Sequence, residues 1–303
     1  MTKTAMLTDA QWARIEPLLP QLKGPMGKPF LPHRPVVEGC IYRLVGGIPW
    51  RMLPREFGAW QTVHRRHLKW SQDGTWDRVL AALQAEAETE GDIDWRVSVD
   101  STVSRVHQHG ATAARSVSRD RRRTQGALSN DKNPAVREDE PDDHAIGRSR
   151  GGLTTKTHAL VDGKGRLLCC IVSPGQAGDS PVLPALLGEL RVNSHRPGRP
   201  RTTPIALRGD KAYSSRGHRE LLRSRGVQIV IPEPADQAAN RQRKGSAGGR
   251  PVSYDVEDYK QRNVVERFFN RIKNWRGIAS RYDKLAVVFR GSVVLAAIVD
   301  WLR

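Results

Sequence analysis

The stretch YKQRNVVERFFNRIKNWR, Tyr259 to Arg276, carries six Lys or Arg and a single acid, Glu266. Read as one helix, it has two faces. Val265, Phe268, Ile272 and Trp275 form an apolar stripe suited to a core. Tyr259, Arg262, Glu266 and Lys273 lie at offsets 0, +3, +7 and +14, an arc of roughly 60° at the helical angle per residue. One face therefore presents a carboxylate flanked by cations. Glu266 could be a surface partner of Arg262 at i,i+4, a pairing that contributes about 0.2–0.5 kcal/mol. Alternatively it holds a metal ion while Arg262 and Lys273 hold phosphates of the same substrate.

The whole chain bears on that choice. Its 303 residues suffice for one large domain or two ordinary ones. A net charge of +18 calls for a polyanionic partner, and nucleic acid is the default. A membrane surface is disfavoured, because there is no 18-residue apolar run and no basic amphipathic anchor. The opening MTKTAMLTDAQW has no apolar core of a secretion signal. Cys40, Cys169 and Cys170 read as buried thiols in a reducing cytoplasm, since neighbours on a strand point to opposite faces and make poor joint ligands. The expected location is cytoplasmic, on the nucleoid.

Residues 1–90 read as a helical domain. Thr8 or Asp9 caps a first helix carrying Trp12, Ile15 and Leu18/Leu19, which stops at Pro20; a Pro/Gly loop, GPMGKPFLPHRP, follows. VVEGCIYRLVGG gives a second helix, and two more are separated at QDG. Trp60, Val63, His67 and Trp70 keep a helical apolar rhythm, with Arg65, Arg66 and Lys69 largely outside it. Short helices with exposed basic positions suit a helix-turn-helix-like DNA module, with Arg65, Arg66 and Lys69 as its contacts. The spacing of His64 and His67, with no further ligands, reads as surface and core rather than metal.

From Asp94 the texture becomes that of an α/β sheet domain extending to residue 303. DWRVSVDSTVSRV is a strand. The charged, small-residue segment at about 108–152, with RDRRR (Arg119–Arg123), reads as a flexible insertion. LTTKTHALVD and RLLCCIVS form a hairpin through GKG, with Asp162 in the turn. A helix capped by Ser180 follows, with Asp179 assisting the cap, then a strand ending at Asp210. A helix closed by Gly226, a strand and a loop at 233–258 come next. The mostly apolar KLAVVFRGSVVLAAIVDWLR is an inward-packing last helix. Asp94, Asp255, Asp258 and Asp283 read as loop or cap residues.

Two acids sit where such sheets build ligand sites, at strand ends: Asp100, followed by Ser101 and Thr102, and Asp210, preceded by Gly209, which lets another group approach the backbone. Glu266 makes a third. Three converging carboxylates need bound cations, and oxygen donors select Mg²⁺ or Mn²⁺. Two such ions can activate an attacking oxygen and stabilise a leaving one in phosphoryl transfer. No Gly-rich phosphate loop is present, which disfavours a nucleotide hydrolase.

The spacing Tyr259, Arg262, Glu266, Lys273 resembles the signature of DDE transposases of the insertion-sequence-four/five superfamily. NVVERFFNRIKNWRGIASRYDKLA resembles the insertion-sequence-five family's C-terminal segment. LTDAQWARIEPLLP, GIPWRMLPREFGAWQTVHRRHLKWSQDGTWDRVL, VDST and GDKAYSS are similar to its other blocks. The likeness covers nearly the whole chain. It implies an RNase H-like catalytic domain with a mixed sheet behind a small helical DNA-binding domain, and Asp100, Asp210 and Glu266 as a catalytic, metal-binding triad. It implies Tyr259, Arg262 and Lys273 as DNA-positioning residues. It further implies metal-dependent hydrolysis at element ends and attack of the freed 3′-hydroxyl on target DNA. Double-stranded DNA is the partner, and a homo-oligomer assembled on DNA is expected because paired ends must be held together. GDKAYSS lacks the second acid that often follows the aromatic residue in relatives. The rivals are a DNA-binding regulator, a disabled descendant of a transposase, and a simple nuclease.

Overall fold

The computed structural model describes residues 6–21, 31–112 and 140–303. RDRRR and most of the Pro/Gly loop before α2 lie outside them. The helical N-terminal region comprises α1 (Asp9–Ile15), α2 (His33–Gly46), α3 (Trp60–Gln72) and α4 (Thr75–Glu90). Thr8 and Gln11 close a reciprocal capping box on α1, so two of the helix's unpaired amides are satisfied by side chains rather than by water. Val63, His67 and Trp70 of α3 are buried and Trp60 is half-buried, as the helical rhythm predicts.

The rest of the chain builds a mixed sheet. Its strands are β1 (Arg96–Val106), β2 (Gly147–Ser149), β3 (Gly152–Val161), β4 (Leu167–Pro174), β5 (Ala206–Arg208), β6 (Gln228–Val230) and β7 (Ser280–Arg281). β3 lies antiparallel to β1, β2 and β4; β5 runs parallel to both β1 and β6; β7 runs parallel to the end of β1. The β3–β4 hairpin forms as its alternation predicts. Asp162 lies in the turn, fully buried and bonded to the Arg166 guanidinium.

The helices of this region are α5 (Gln108–Ala111), α6 (Leu183–Glu189), α7 (Arg216–Ser224), α8 (Ala235–Arg243), α9 (Val256–Lys260), α10 (Val264–Lys273), α11 (Arg276–Ala279) and α12 (Ala286–Trp301). α12 is buried along nearly its whole length and packs on α3, α4 and β4. Gly291 lets it approach α3: a Cβ there would lie 2.2 Å from Ser71 Oγ. At the same contact, His67 Nδ1 accepts from Trp76 Nε1 at 3.2 Å, which leaves Nε2 to donate to Ser292 Oγ at 3.1 Å. Burial pushes the His67 pKa down to about 4, so it is a neutral core residue at neutral pH. One hydrophobic cluster runs from α1 through the sheet to α12.

Several expectations need correction. Residues 233–258 are not a loop throughout. α8 forms there because Ala235, Ala238 and Ala239 favour helix and because Glu233 pairs with Arg241 at 3.2 Å and Gln237 bonds to Ser214. The described end of the 108–152 segment is also ordered. Glu140 accepts from the Ala286 and Val287 amides at 2.7 and 2.9 Å, satisfying two unpaired donors at the start of α12, and 147–149 adds strand β2. Ser180 caps no α-helix; it starts a short 3₁₀ turn, and the Asp179 side chain makes no capping bond there.

Candidate active site

The 259–276 stretch is not one continuous helix. α9 and α10 are joined by a 3₁₀ turn, Gln261–Asn263, which holds Arg262. The apolar stripe keeps its place: Val265, Phe268, Ile272 and Trp275 are all buried, and α10 packs on β1 and β3. Asp258 does not merely cap. It accepts from Arg208 Nη2 at 2.6 Å and Arg96 Nη1 at 3.1 Å, fastening α9 to β5 and β1. Asp255, by contrast, caps α9 through the Asp258 amide, as expected.

Asp100 does not close its strand; it is the fifth residue of β1, which continues to Val106. The strand outlasts its parallel neighbour instead. The β1–β5 pairing ends at Ser98 opposite Arg208. Asp100 and Asp210 each stand two residues past that last pair, so they emerge level with one another where β5 stops. Parallel neighbours lie about 4.8 Å apart, and this register makes companions of two acids 110 positions apart in sequence. Asp210 caps the turn after β5, accepting the Ala212 amide at 2.9 Å. A Cβ at Gly209 would press on Val99 and Ile231 at 3.2 and 3.4 Å, so its smallness serves the core beneath Asp210.

Arg262 ties the third acid in. Its Nη1 donates to Asp100 Oδ2 at 2.9 Å and its Nη2 to Glu266 Oε1 at 2.5 Å. The i,i+4 pair anticipated as a bland surface contact is therefore half of a bridge to β1. Burial works against the charged guanidinium, yet Asp100 and Glu266 outweigh it and hold its pKa above the ordinary value. Asp100 is shifted the other way: burial, aided by the Asp210 charge, raises its pKa, while the Ser101 amide and Arg262 oppose the rise. Lys273 turns back onto β1, donating to the Val103 carbonyl at 2.8 Å, and burial lowers its pKa. Tyr259 sits edge-on against Tyr254, 5.6 Å between centroids.

Carboxylate oxygens are the donors that hard divalent cations take. Tyr213 adds a mark of polarity: its ring is buried, its hydroxyl has no hydrogen-bond partner among the described residues, and it feels the charges of Asp100, Asp179 and Asp210. Among the described residues, however, no three His, Cys, Asp or Glu side chains are gathered around one point suited to an ion. The Arg262 guanidinium bonds one oxygen each of Asp100 and Glu266.

Two family models match the chain. One, described as "Putative transposase of IS4/5 family", covers residues 7–80; the other, described as "Transposase DDE domain", covers residues 93–300. The chain belongs to the DDE transposase family. It is 32% identical over 151 residues to a Brucella ovis protein named "Putative transposase for insertion sequence element IS6501", covering 50% of this chain and 100% of that one. It is 29% identical over 139 residues to a Burkholderia cepacia protein named "Putative transposase for insertion sequence element IS402", covering 46% of this chain and 57% of that one. No solved structure matches it. This transposase is of the bacterial insertion-sequence kind.

On the transposase's helical region, Arg65, Arg66 and Lys69 line one open groove of about 730 Å³ with Leu31, Pro32, Ala59 and Thr62. Arg65 and Lys69 are exposed. Arg66 is half-buried, bonded to His33 at 2.8 Å and stacked over Trp70 at 5.4 Å, so it also supports the groove wall. No described helix is long and apolar enough to cross a membrane. Sequence reasoning missed two groups near Asp100 and Asp210. Tyr213 lies three residues past Asp210 inside the GDKAYSS block, a signal that was available. Asp179 carried none, because its partners are on β1 and β3.

Proposed function

We propose that this transposase cuts DNA at the ends of its element and joins the freed 3′-hydroxyls to target DNA, with Asp100, Asp210 and Glu266 holding Mg²⁺, for which Mn²⁺ can substitute. The observation that supports the reading is the linkage of the three acids by pairs: Asp100 stands level with Asp210 in the β1–β5 register, and Arg262 bonds both Asp100 and Glu266. The strand order, antiparallel hairpin plus parallel additions, supports an RNase H-like catalytic domain over about 94–303, with residues 1–90 as the DNA-binding domain.

Asp100, Asp210 and Glu266 would hold the divalent cations, which would supply Lewis acidity for phosphoryl transfer. The chain's own residues do the rest. Arg262 offsets part of the charge of Asp100 and Glu266 in the absence of DNA, and it can turn to a phosphate once those carboxylates are otherwise compensated. Lys273 and Tyr259, on the segment that carries Arg262 and Glu266, position the DNA backbone. The Arg65, Arg66 and Lys69 groove contributes sequence-independent affinity by neutralising phosphates. Two ends must be held at once, so the working form is a homo-oligomer on DNA, in the cytoplasm.

The test is to mix wild type and Glu266→Gln with DNA carrying the repeats that flank the gene, with and without Mg²⁺. Metal-dependent cuts at the repeat boundaries by wild type alone are expected. Equal binding without cutting by either protein returns Glu266 to a surface partner of Arg262 and the chain to a DNA-binding regulator or disabled descendant. Cutting with no joining to a second DNA leaves a simple nuclease.

The groove makes its own prediction. Arg65→Ala/Lys69→Ala weakens binding to all DNA sequences alike and reduces the slope of log affinity against log salt by about one for each phosphate no longer neutralised. Titrations between low and moderate salt measure it, and an unchanged slope removes these residues from the interface.

A further inference from the structure

Asp179 was expected to serve a helix cap, and it does something else. Its Oδ1 accepts from Ser101 Oγ at 2.6 Å and from Lys156 Nζ at 3.0 Å, and His158 Nδ1, with no hydrogen-bond partner among the described residues, stands 3.7 Å away. Lys156 is fixed in turn by the Ala177 carbonyl at 2.7 Å. Lys156 and His158 are alternate residues of β3, and His158 is the cross-strand partner of Ser101. Ser101 is the residue whose amide donates to Asp100 Oδ1 at 2.8 Å. Hydrogen bonds thus run from Lys156 through Asp179 to the Ser101 hydroxyl, and the backbone amide of the same Ser101 donates to the carboxylate of Asp100.

The chain matters because Asp100 is only partly enclosed. One of its oxygens is bonded by Arg262 and the other by Ser101. With Arg262 withdrawn, the Ser101 amide is the remaining described bond that sets the carboxylate's orientation. A serine in mid-strand could serve that amide without its hydroxyl being used, yet here the hydroxyl makes a short bond to a charged acceptor, one of the stronger kinds of hydrogen bond. Groups that orient a ligand carboxylate from behind typically change metal affinity 10–100-fold when removed.

We propose that Asp179, anchored by Lys156, is a positioning residue that fixes Ser101 and thereby holds the Asp100 carboxylate in its metal-binding orientation. The inference rests on the metal reading proposed above. Tyr213, buried without a hydrogen-bond partner among the described residues and influenced by Asp100, Asp179 and Asp210 together, is consistent with Asp179 belonging to this carboxylate neighbourhood rather than to a remote surface pair.

The test measures Mn²⁺ affinity of the DNA-free protein by electron paramagnetic resonance for wild type, Asp179→Ala, Ser101→Ala and Ser101→Thr. Thermal melting and metal-free DNA binding are recorded for each. Asp179→Ala and Ser101→Ala are expected to raise the Mn²⁺ Kd about tenfold or more, with DNA affinity within about twofold, while Ser101→Thr, which keeps the hydroxyl, stays near wild type. Should Asp179→Ala fail to fold, Ser101→Ala, which deletes one oxygen, decides alone. Unchanged Mn²⁺ affinity in the folded variants, with wild type binding Mn²⁺, overturns the positioning role and leaves the metal site standing. Wild type that binds no Mn²⁺ overturns the metal reading, and this inference with it.

Discussion

Asp100→Asn reduces strand cleavage by about three orders of magnitude or more, and DNA affinity measured without metal changes by no more than about twofold. Asn matches Asp in shape and still offers an oxygen to the Ser101 amide, which now donates to Oδ1 at 2.8 Å. What it lacks is charge, and that is what a divalent cation and the Arg262 guanidinium both require of this position. Arg262 keeps its bond to Glu266, so the α9–α10 junction holds its place and the basic surface remains. Nicking of end-labelled DNA with Mg²⁺ and a gel-shift titration without it separate the two effects. Normal cutting by the variant removes Asp100 from the catalytic set. Cutting and binding lost together indicate instead that its role is structural.

Asp283→Ala is expected to cost about 3–5 kcal/mol, because it strands a buried arginine. Asp283 was anticipated as a loop or cap residue. It is in a loop, but it is buried, and its two oxygens face Arg43 of α2 at 3.3 and 3.4 Å. Arg43 also stacks over Trp50 at 4.8 Å. The pair joins the second helix of the chain to the segment that leads into the last one, so its loss loosens the N-terminal helices from the sheet region. A fall in Tm on the order of 10 °C follows for a chain of this size. Replacing both partners, Arg43→Met with Asp283→Leu, should recover much of the loss, since no charge is then left unpaired. A double variant no more stable than Asp283→Ala argues against the pair as the cause.

The same carboxylate sets an acid limit. Burial alone would raise its pKa, but Arg43, His67 and Arg281 outweigh burial and hold it below the ordinary value. A depressed folded-state pKa stabilises the protein at pH above the unfolded-state value, about 3.9, and that stabilisation is lost as pH falls through the folded-state value. It therefore bears on acid unfolding and not on behaviour near neutrality.

What the sequence determined by itself is what short periods encode. The stripe Val265, Phe268, Ile272 and Trp275 is buried as its spacing requires, the β3–β4 hairpin closes at its glycine-flanked turn, and the apolar run 286–301 is a core helix. Each depends on neighbours within a few turns or one hairpin. The acids could be named from their blocks, and the arc of Tyr259, Arg262, Glu266 and Lys273 put cations beside Glu266. Helix α8 escaped because none of its residues is buried, and a helix without an apolar face leaves no period to read. The tertiary structure alone decided the rest. Asp100 lies inside a strand, not at its end, and becomes level with Asp210 only because β5 is short and pairs with β1 in one register. Parallel register is a relation between distant segments, with no local signal. The partners of Arg262, Asp179 and Asp258 were hidden for the same reason. A charged side chain takes whichever partner the fold carries to it, and for these three the decisive partners lie 23 to 162 positions away in the chain.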